Sequence, residues 1–372
     1  MENLKIIDTH FHIWEREFFA MEWIKNSEFD RDFTFKDYVK SYKDLNFYGG
    51  IYIEVDSTQK EKELAYIQNL ARQKDQILGI CIPQETFFSK QKSPKTCAIR
   101  KIMHKEIPCE EEILQSIEKI YKENTKIVFE ACLLEKDLLL LEKIATKFPK
   151  LKIVINHFGN PDFSDLESYA HKIKTLAKIA NIYYKLSPCD NFDIQIAEQN
   201  LDKILKIIFS YFPVEKLLFG SNYPVSKIPP YLWVKILYTK LLNLHISHEN
   251  IQKIFAKNAM ECYEILPKKQ RFSQVTKIKQ DMLETYKNLH YNAWKEINDT
   301  LKKAHIQNYS IYHYGDYLFA YFEYTGEDFS KDMQQIAQDS FTQKWWIQTD
   351  ACQIPMGENS PWLDITEVFH LD

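Results

Sequence analysis

Residues 6–14, IIDTHFHIW, place two histidines one residue apart at the end of a β-branched run. Side chains at i and i+2 of a strand share a face, so His10 and His12 would present two imidazoles together. That pattern is either a metal-ligand pair at a strand end or two histidines in ordinary packing. Other ionisable or polar groups close later apolar runs: Glu54 and Asp56, Arg100, Glu130, His157, Lys185 with Ser187, and Asn222. Taken singly, each has a structural explanation, such as a hydrogen-bonded strand histidine, a loop carboxylate or a snorkelling lysine. Their recurrence at strand ends is what points to a shared site. A second group lies near the C-terminus. In ETYKNLHYNAWKEI, Tyr286, His290 and Trp294 fall at i, i+4 and i+8, on one helical face, and Tyr309, Trp345 and Trp346 follow. The same spacing serves a helix packing aromatics on a sheet. Rings beside an imidazole also suit a sugar, whose apolar faces stack on them while their polar tips bond its hydroxyls.

The first group needs a scaffold that gathers many strand ends. Apolar runs over 5–12, 49–56, 77–83, 97–103, 126–133, 152–158, 182–188 and 216–222 read as strands, separated by segments with helical spacing. Eight strands with helical connections predict a (β/α)8 TIM-type barrel, in which side chains at the C-terminal strand ends do the chemistry. An open doubly wound sheet is the rival, and no glycine-rich phosphate turn supports it. After YEILPKKQRFSQ the pattern changes to β-α-β-β-α-β, with one long helix from about Gln280 to Lys303 and a last strand ITEVFHL. That order predicts a small α+β ferredoxin-like domain. The expected organisation is a barrel over 1–266, a linker over 267–274 and the second domain over 275–372.

Composition removes several function classes. Net charge is −4 with both signs interspersed, which argues against nucleic acid or a membrane surface as partner. The first residues, MENLKIIDTHFH, hold no apolar core of signal-peptide length, and no window reaches membrane-spanning length. Seven scattered cysteines, with no CxxC pair, fit a reducing cytoplasm.

The ordered stretches DTHFHIW, AIRKIMHKE, IVFEACLL, FPKLKIVINHFGNP, IYYKLSP, KLLFGSNYPV and FAKNAMECYEI, within residues 1–266, resemble the amidohydrolase-superfamily branch of sugar lactonases. These are of the L-fuconolactonase and L-rhamnonolactonase type, and the same branch holds 2-pyrone-4,6-dicarboxylate lactonase. The resemblance implies hydrolysis of a cyclic ester at the barrel mouth. His10, His12 and His157 match the family histidines, which either bind one divalent metal (Zn or Mn) or polarise the substrate carbonyl directly. Arg100 and Lys185 match basic substrate-side positions, and Glu54 is a further substrate-binding candidate. The family's GSD is GSN here, so Asn222 stands where an aspartate takes the water's proton, and an amide cannot do that. Glu54, Asp56 or Glu130 would then supply the base, or the barrel is catalytically degenerate.

Residues 271–372 resemble the L-rhamnose mutarotases in Y…H…W, HIQNYSIY, LFAYFE, QKWWIQTD, ENSPW and EVFHLD. Position by position, that implies His290 as proton donor, sugar contacts from Tyr286, Tyr309, Trp345 and Trp346, no cofactor, and a homodimer through this domain. Together the two resemblances imply a bifunctional enzyme acting on a sugar and its lactone. L-fucose and L-fuconolactone are the first expectation, and the L-rhamnose pair is the alternative.

Overall fold

The computed structural model describes residues 4–89, 93–103, 109–124, 126–188, 194–265, 269–326, 328–357 and 360–370. The chain divides into two compact units, 1–265 and 266–372. In the first unit the strands are β1 (Ile6–Phe11), β2 (Phe47–Ile53), β3 (Ile77–Pro83), β4 (Thr96–Ile102), β5 (Val128–Cys132), β6 (Lys152–Ile155), β7 (Ile182–Leu186) and β8 (Leu217–Phe219). They pair in sequence order as one eight-stranded sheet whose register is parallel throughout. Its helices include α1 (Phe35–Lys40), α2 (Lys60–Gln73), α3 (Glu110–Glu123), α4 (Leu140–Lys147), α5 (Leu166–Leu176), α6 (Ile194–Tyr211), α7 (Pro230–Asn243), α8 (His248–Gln252) and α9 (Asn258–Cys262). This is the expected TIM-type barrel. No helix among the described residues is long and apolar enough to cross a membrane.

Strands buried on both faces read as continuous apolar runs, and alternation then decides which side chain meets which layer. Ile7, Ile51, Ile53, Cys81, Ala98, Val128, Val154 and Leu218 form one cluster inside the barrel. Their neighbours Ile6, Tyr52, Ile80, Ile99, Phe129, Ile153 and Phe219 join the larger cluster beneath the helices. The helices show the complementary stripe: α3 buries Ile113, Ile117 and Ile120 and opens on three glutamates at its dipole-positive end. A capping box between Thr34 and Asp37 starts α1.

The barrel closes between β1 and the residues after β8. Asn222 N donates to His10 O at 2.8 Å, and His12 N donates to Tyr223 O at 2.7 Å. Asp8, fully buried, secures this seam. It accepts from Ser221 Oγ (2.6 Å), Ser221 N (2.8 Å), Tyr42 OH (2.7 Å), Tyr38 OH (2.9 Å) and His10 N (3.0 Å). Burial pushes the Asp8 carboxyl up, while the bonds from Ser221 and Tyr42 pull it down. Gly50 makes room for the approach, since a Cβ there would lie 2.6 Å from Tyr38 OH.

The second unit is an antiparallel sheet in the order β10-β11-β9-β12, with β13 also paired to β9. The elements are β9 (Gln270–Ile278), α10 (Leu283–Tyr291), α11 (Lys295–Lys303), β10 (Ile306–Tyr314), β11 (Tyr317–Tyr324), α12 (Phe329–Gln338), α13 (Ser340–Ala351), β12 (Gln353–Ile354) and β13 (Leu363–Ile365). This is the ferredoxin-like arrangement expected, with local corrections. Residues 270–274, expected as linker, are strand, because β9 must pair with β11 over its whole length, from Tyr324↔Gln270 onward. The single helix expected over 280–303 is two: Trp294 leaves helical geometry (φ −62°, ψ 141°) and caps α11. The expected last strand, 365–371, pairs earlier, at Leu363–Ile365, and residues 371–372 lie outside the described residues.

Two consequences of the barrel's construction can be measured. Asp8→Ala strands several buried donors at the seam, so denaturant unfolding should show a loss of about 3 kcal/mol or more. Glu63 on α2 accepts from Tyr52 OH and Val55 N, both at 2.9 Å, and burial, aided by nearby Glu54, pushes its carboxyl up to about 8. Between pH 4.5 and about 8 the unfolded chain ionises at this position while the native state keeps its proton. Stability from Glu63 is therefore full below that window and declines as pH rises through it. The Glu63→Gln variant should lack this decline, so its thermal midpoint relative to wild type should rise from pH 4.5 to pH 8.

Candidate functional sites

The barrel's polar residues do meet. His10 Nε2 and His12 Nε2 are 3.1 Å apart, and the His157 ring centroid lies 4.4 Å from that of His10. A left-handed run of backbone, from His157 (φ 52°) through Asn160 (φ 47°), brings His157 out of β6. Strain of that kind is held by its surroundings. The phenols of Tyr169 and Tyr184 both donate to Phe158 O, and Asn160 Nδ2 donates to Leu133 O at 2.6 Å. Ser187 Oγ sits 3.1 Å from His157 Nδ1.

The hydrogen bonds assign the tautomers. His12 Nδ1 is 2.9 Å from Ile53 O, a pure acceptor, so Nδ1 carries the proton and Nε2 accepts. His10 Nε2 must then donate, which leaves His10 Nδ1 as a lone pair facing the Lys185 ammonium at 3.4 Å. Lys185, expected as a substrate contact, is fully buried and spends its other donors on Thr9 O and Glu130 Oε2, each at 2.8 Å. It orients His10 instead. The phenol of Tyr263, near the end of the unit, holds the other Glu130 oxygen. Glu54 is likewise committed, 3.3 Å from Arg100 NH1, while its Oε2 accepts from Asp56 N. Neither buried glutamate is available as a base.

All three histidines are held neutral. Burial lowers each, to about 3 for His12, and the cations add to it: Arg100 at His12 and His157, Lys185 at His10 behind the contribution of His157. Asn222 is buried and donates from Nδ2 to Pro188 O at 3.0 Å. A carboxylate there would face a carbonyl, so the asparagine suits this loop as a donor where an aspartate would be repelled.

This donor set does not fit the expected metal on His10, His12 and His157. Two nitrogens converge, but one carries the proton that joins them. Freeing it would place a proton on His10 Nδ1, against the Lys185 ammonium. Among the described residues no group of three His, Cys, Asp or Glu side chains is arranged to hold a metal ion.

In the second unit, α10 brings Tyr286 and His290 together, with ring centroids 4.2 Å apart. Trp345, buried on α13, lies 5.3 Å from His290 and 5.5 Å from Trp294. Trp294 thus joins the cluster from the start of α11 rather than from the same helix as His290. Tyr309 is 42% exposed and Trp346 41% exposed. Adjacent positions on a helix are about 100° apart, so only one of the two tryptophans can back the histidine. His290 Nδ1 is 3.0 Å from Tyr286 O, so it donates there and Nε2 is left as a lone pair. Burial lowers the His290 pKa, and the Tyr286 carbonyl partly opposes that.

Several site residues were not singled out from the sequence. Asp8 carries no sign of its role within IIDTH, since its partners other than His10 N lie 30 to 213 residues away. Gln353 bonds the Tyr286 phenol from β12, and its Oε1 has no partner among the described residues. Asn156, one residue before His157, is buried with neither side-chain polar atom partnered among the described residues. The run of motif residues around NHFGNP was the one available signal for it.

The family model for L-rhamnose mutarotase matches residues 271–371, and that for amidohydrolase matches 121–265. The L-rhamnose mutarotase of Shouchella clausii (strain KSM-K16) is 32% identical over 108 residues, which are 27% of this chain and 97% of that protein. The L-rhamnono-gamma-lactonase of Scheffersomyces stipitis is 22% identical over 146 residues, 33% of this chain and 44% of that protein. An amidohydrolase from Burkholderia multivorans, solved with bound zinc, shares the barrel fold (TM-score 0.61, 16% identity, 70% of this chain and 99% of that one). The chain therefore belongs, through residues 271–371, to the L-rhamnose mutarotase family, and it carries ahead of that domain an amidohydrolase-family barrel matched over residues 121–265.

Proposed function

We propose that this chain is a bifunctional enzyme of 6-deoxy-L-hexose breakdown. Its C-terminal domain interconverts the α and β pyranoses of the sugar, and its barrel hydrolyses the corresponding aldonolactone. The observation that carries the reading is His290, a neutral imidazole with one free nitrogen set among Tyr286, Trp294 and Trp345. Nε2 takes the proton of the C1 hydroxyl and returns it to the ring oxygen as the C1–O bond opens. Rotation about C1–C2 and the reverse transfer give the other anomer. The tryptophan and tyrosine rings receive the apolar faces of the sugar.

In the barrel, water attacks the lactone carbonyl and His157, a neutral imidazole, takes its proton. Arg100 favours the developing oxyanion. Collapse breaks the ring C–O bond, and the imidazolium returns the proton to the departing oxygen, giving the open hydroxy acid. This route needs no carboxylate base, which agrees with the commitment of Glu54 and Glu130 to cations. No step runs through a metal. The sugar series we favour is L-rhamnose, after which both named relatives are called, ahead of the L-fucose pair expected from the sequence. The proposed homodimer of the C-terminal domain is supported by Tyr312, Tyr314, Val368 and Phe369, which are 62–97% exposed. A protein that runs as a monomer by light scattering would refute it.

The two activities should separate in the full chain. His290→Ala should slow anomer exchange of L-rhamnose, read by saturation-transfer NMR, by ~10²–10⁴-fold and leave lactone hydrolysis intact. His157→Ala should do the reverse, with acid release from L-rhamnono- and L-fuconolactone as the readout. If wild type releases no acid above background from either lactone, the barrel is degenerate and only the mutarotase reading stands. Anomer exchange should also fall on the acid side, with a midpoint below 6.5, because protonated His290 cannot accept the hydroxyl proton.

A further inference from the structure

Asn156 directly follows β6 and keeps extended backbone (φ −81°, ψ 155°). Its main chain is fully engaged: N–H donates to Ala131 O at 3.1 Å, and C=O accepts from Gly159 N at 2.8 Å. Its side chain is 1% exposed, yet neither Nδ2 nor Oδ1 has a partner among the described residues. A buried amide left empty at both ends costs stability and calls for a reason. Val154, two residues earlier, packs inside the barrel, so Asn156 continues the interior face of its strand.

Arg100 repeats the pattern two strands away. Ala98 places it on the interior face, and its Nε, buried, also lacks a partner among the described residues. Between them Cys132 continues the face that Val128 begins on β5, with its Sγ 3.5 Å from Arg100 NH2. Toward the C-terminal ends of adjacent strands β4, β5 and β6 therefore lie a donor without a partner among the described residues, a thiol, and a donor–acceptor pair without partners among the described residues, next to His157.

We propose that Asn156 is a specificity-determining residue of the barrel site, taking up a hydroxyl of the substrate through its amide, with Arg100 Nε–H as a neighbouring donor. The inference rests on the hydrolase reading above and narrows its substrate. A hydroxyl both donates and accepts, as the amide does, so the pair is satisfied together. A carboxylate offers acceptors only and would leave Oδ1 repelled, so this position selects hydroxylated neutral lactones over dicarboxylate ones.

The test uses the full chain and two substrates, L-rhamnono-γ-lactone and unsubstituted γ-butyrolactone, with kcat/KM measured for wild type, Asn156→Leu and Asn156→Asp. The expected result for Asn156→Leu is a ~10–100-fold drop on the hydroxylated lactone with little change on the unsubstituted one. Its thermal midpoint should be equal or higher, since an apolar isostere replaces an unsatisfied polar group. Asn156→Asp keeps the shape and the acceptor but loses the donor, so its ratio should also fall. The ratio of the two substrates does not depend on how much of a variant folds. An unchanged ratio in both variants overturns the proposal while leaving the hydrolase standing. A wild-type chain that opens neither lactone overturns both.

Discussion

The barrel depends on the buried carboxylate of Asp8. Eight strands with helical connections could remain an open sheet, and nothing in their apolar content forces the first to meet the last. Asp8 gathers donors from β1, from α1 and from Ser221 beyond β8, and its burial makes each bond expensive to break. The seam it secures is where Asn222 N reaches His10 O and His12 N reaches Tyr223 O. Closing the barrel and aligning the two histidines with the GSN loop are therefore one event.

Within that frame the site is an ordered chain of polar commitments. Tyr263 holds Glu130, Glu130 holds Lys185, Lys185 faces the lone pair of His10, His10 donates to His12, and His12 donates to Ile53 O. Each link leaves the next with one available role, so the imidazoles are neutral and oriented before a ligand arrives. The same logic explains the asparagine of GSN. With Pro188 O as its neighbour, position 222 asks for a donor.

The C-terminal domain reaches a comparable result with fewer parts. One helix turn couples His290 to its own backbone, a second helix supplies Trp294, and a third supplies Trp345. Burial by these rings, rather than any charged neighbour, lowers the histidine's proton affinity. An apolar wall thus keeps the imidazole neutral without a partner carboxylate.

How much of this was legible beforehand differs by level. Continuous β-branched runs and amphipathic intervals decided the eight barrel strands and the two-domain order, because burial on one or both faces writes itself into local periodicity. The residue types at strand ends nominated His10, His12, Arg100 and His157, and helical spacing together with the mutarotase resemblance nominated His290. Boundaries were less readable: the break at Trp294 and the start of β9 at Gln270 depend on pairing partners dozens of residues away. Roles were least readable. Lys185 and Glu54 look identical in sequence to substrate-binding residues, and only their buried partners turn them into positioning groups. Asn156 looks like motif filler until its amide is seen inside the barrel without a partner among the described residues. Sequence alone determined the elements and the chemical vocabulary. Tertiary structure decided which of those groups are committed to one another and which are left open, because that depends on partners brought together across the closed sheet.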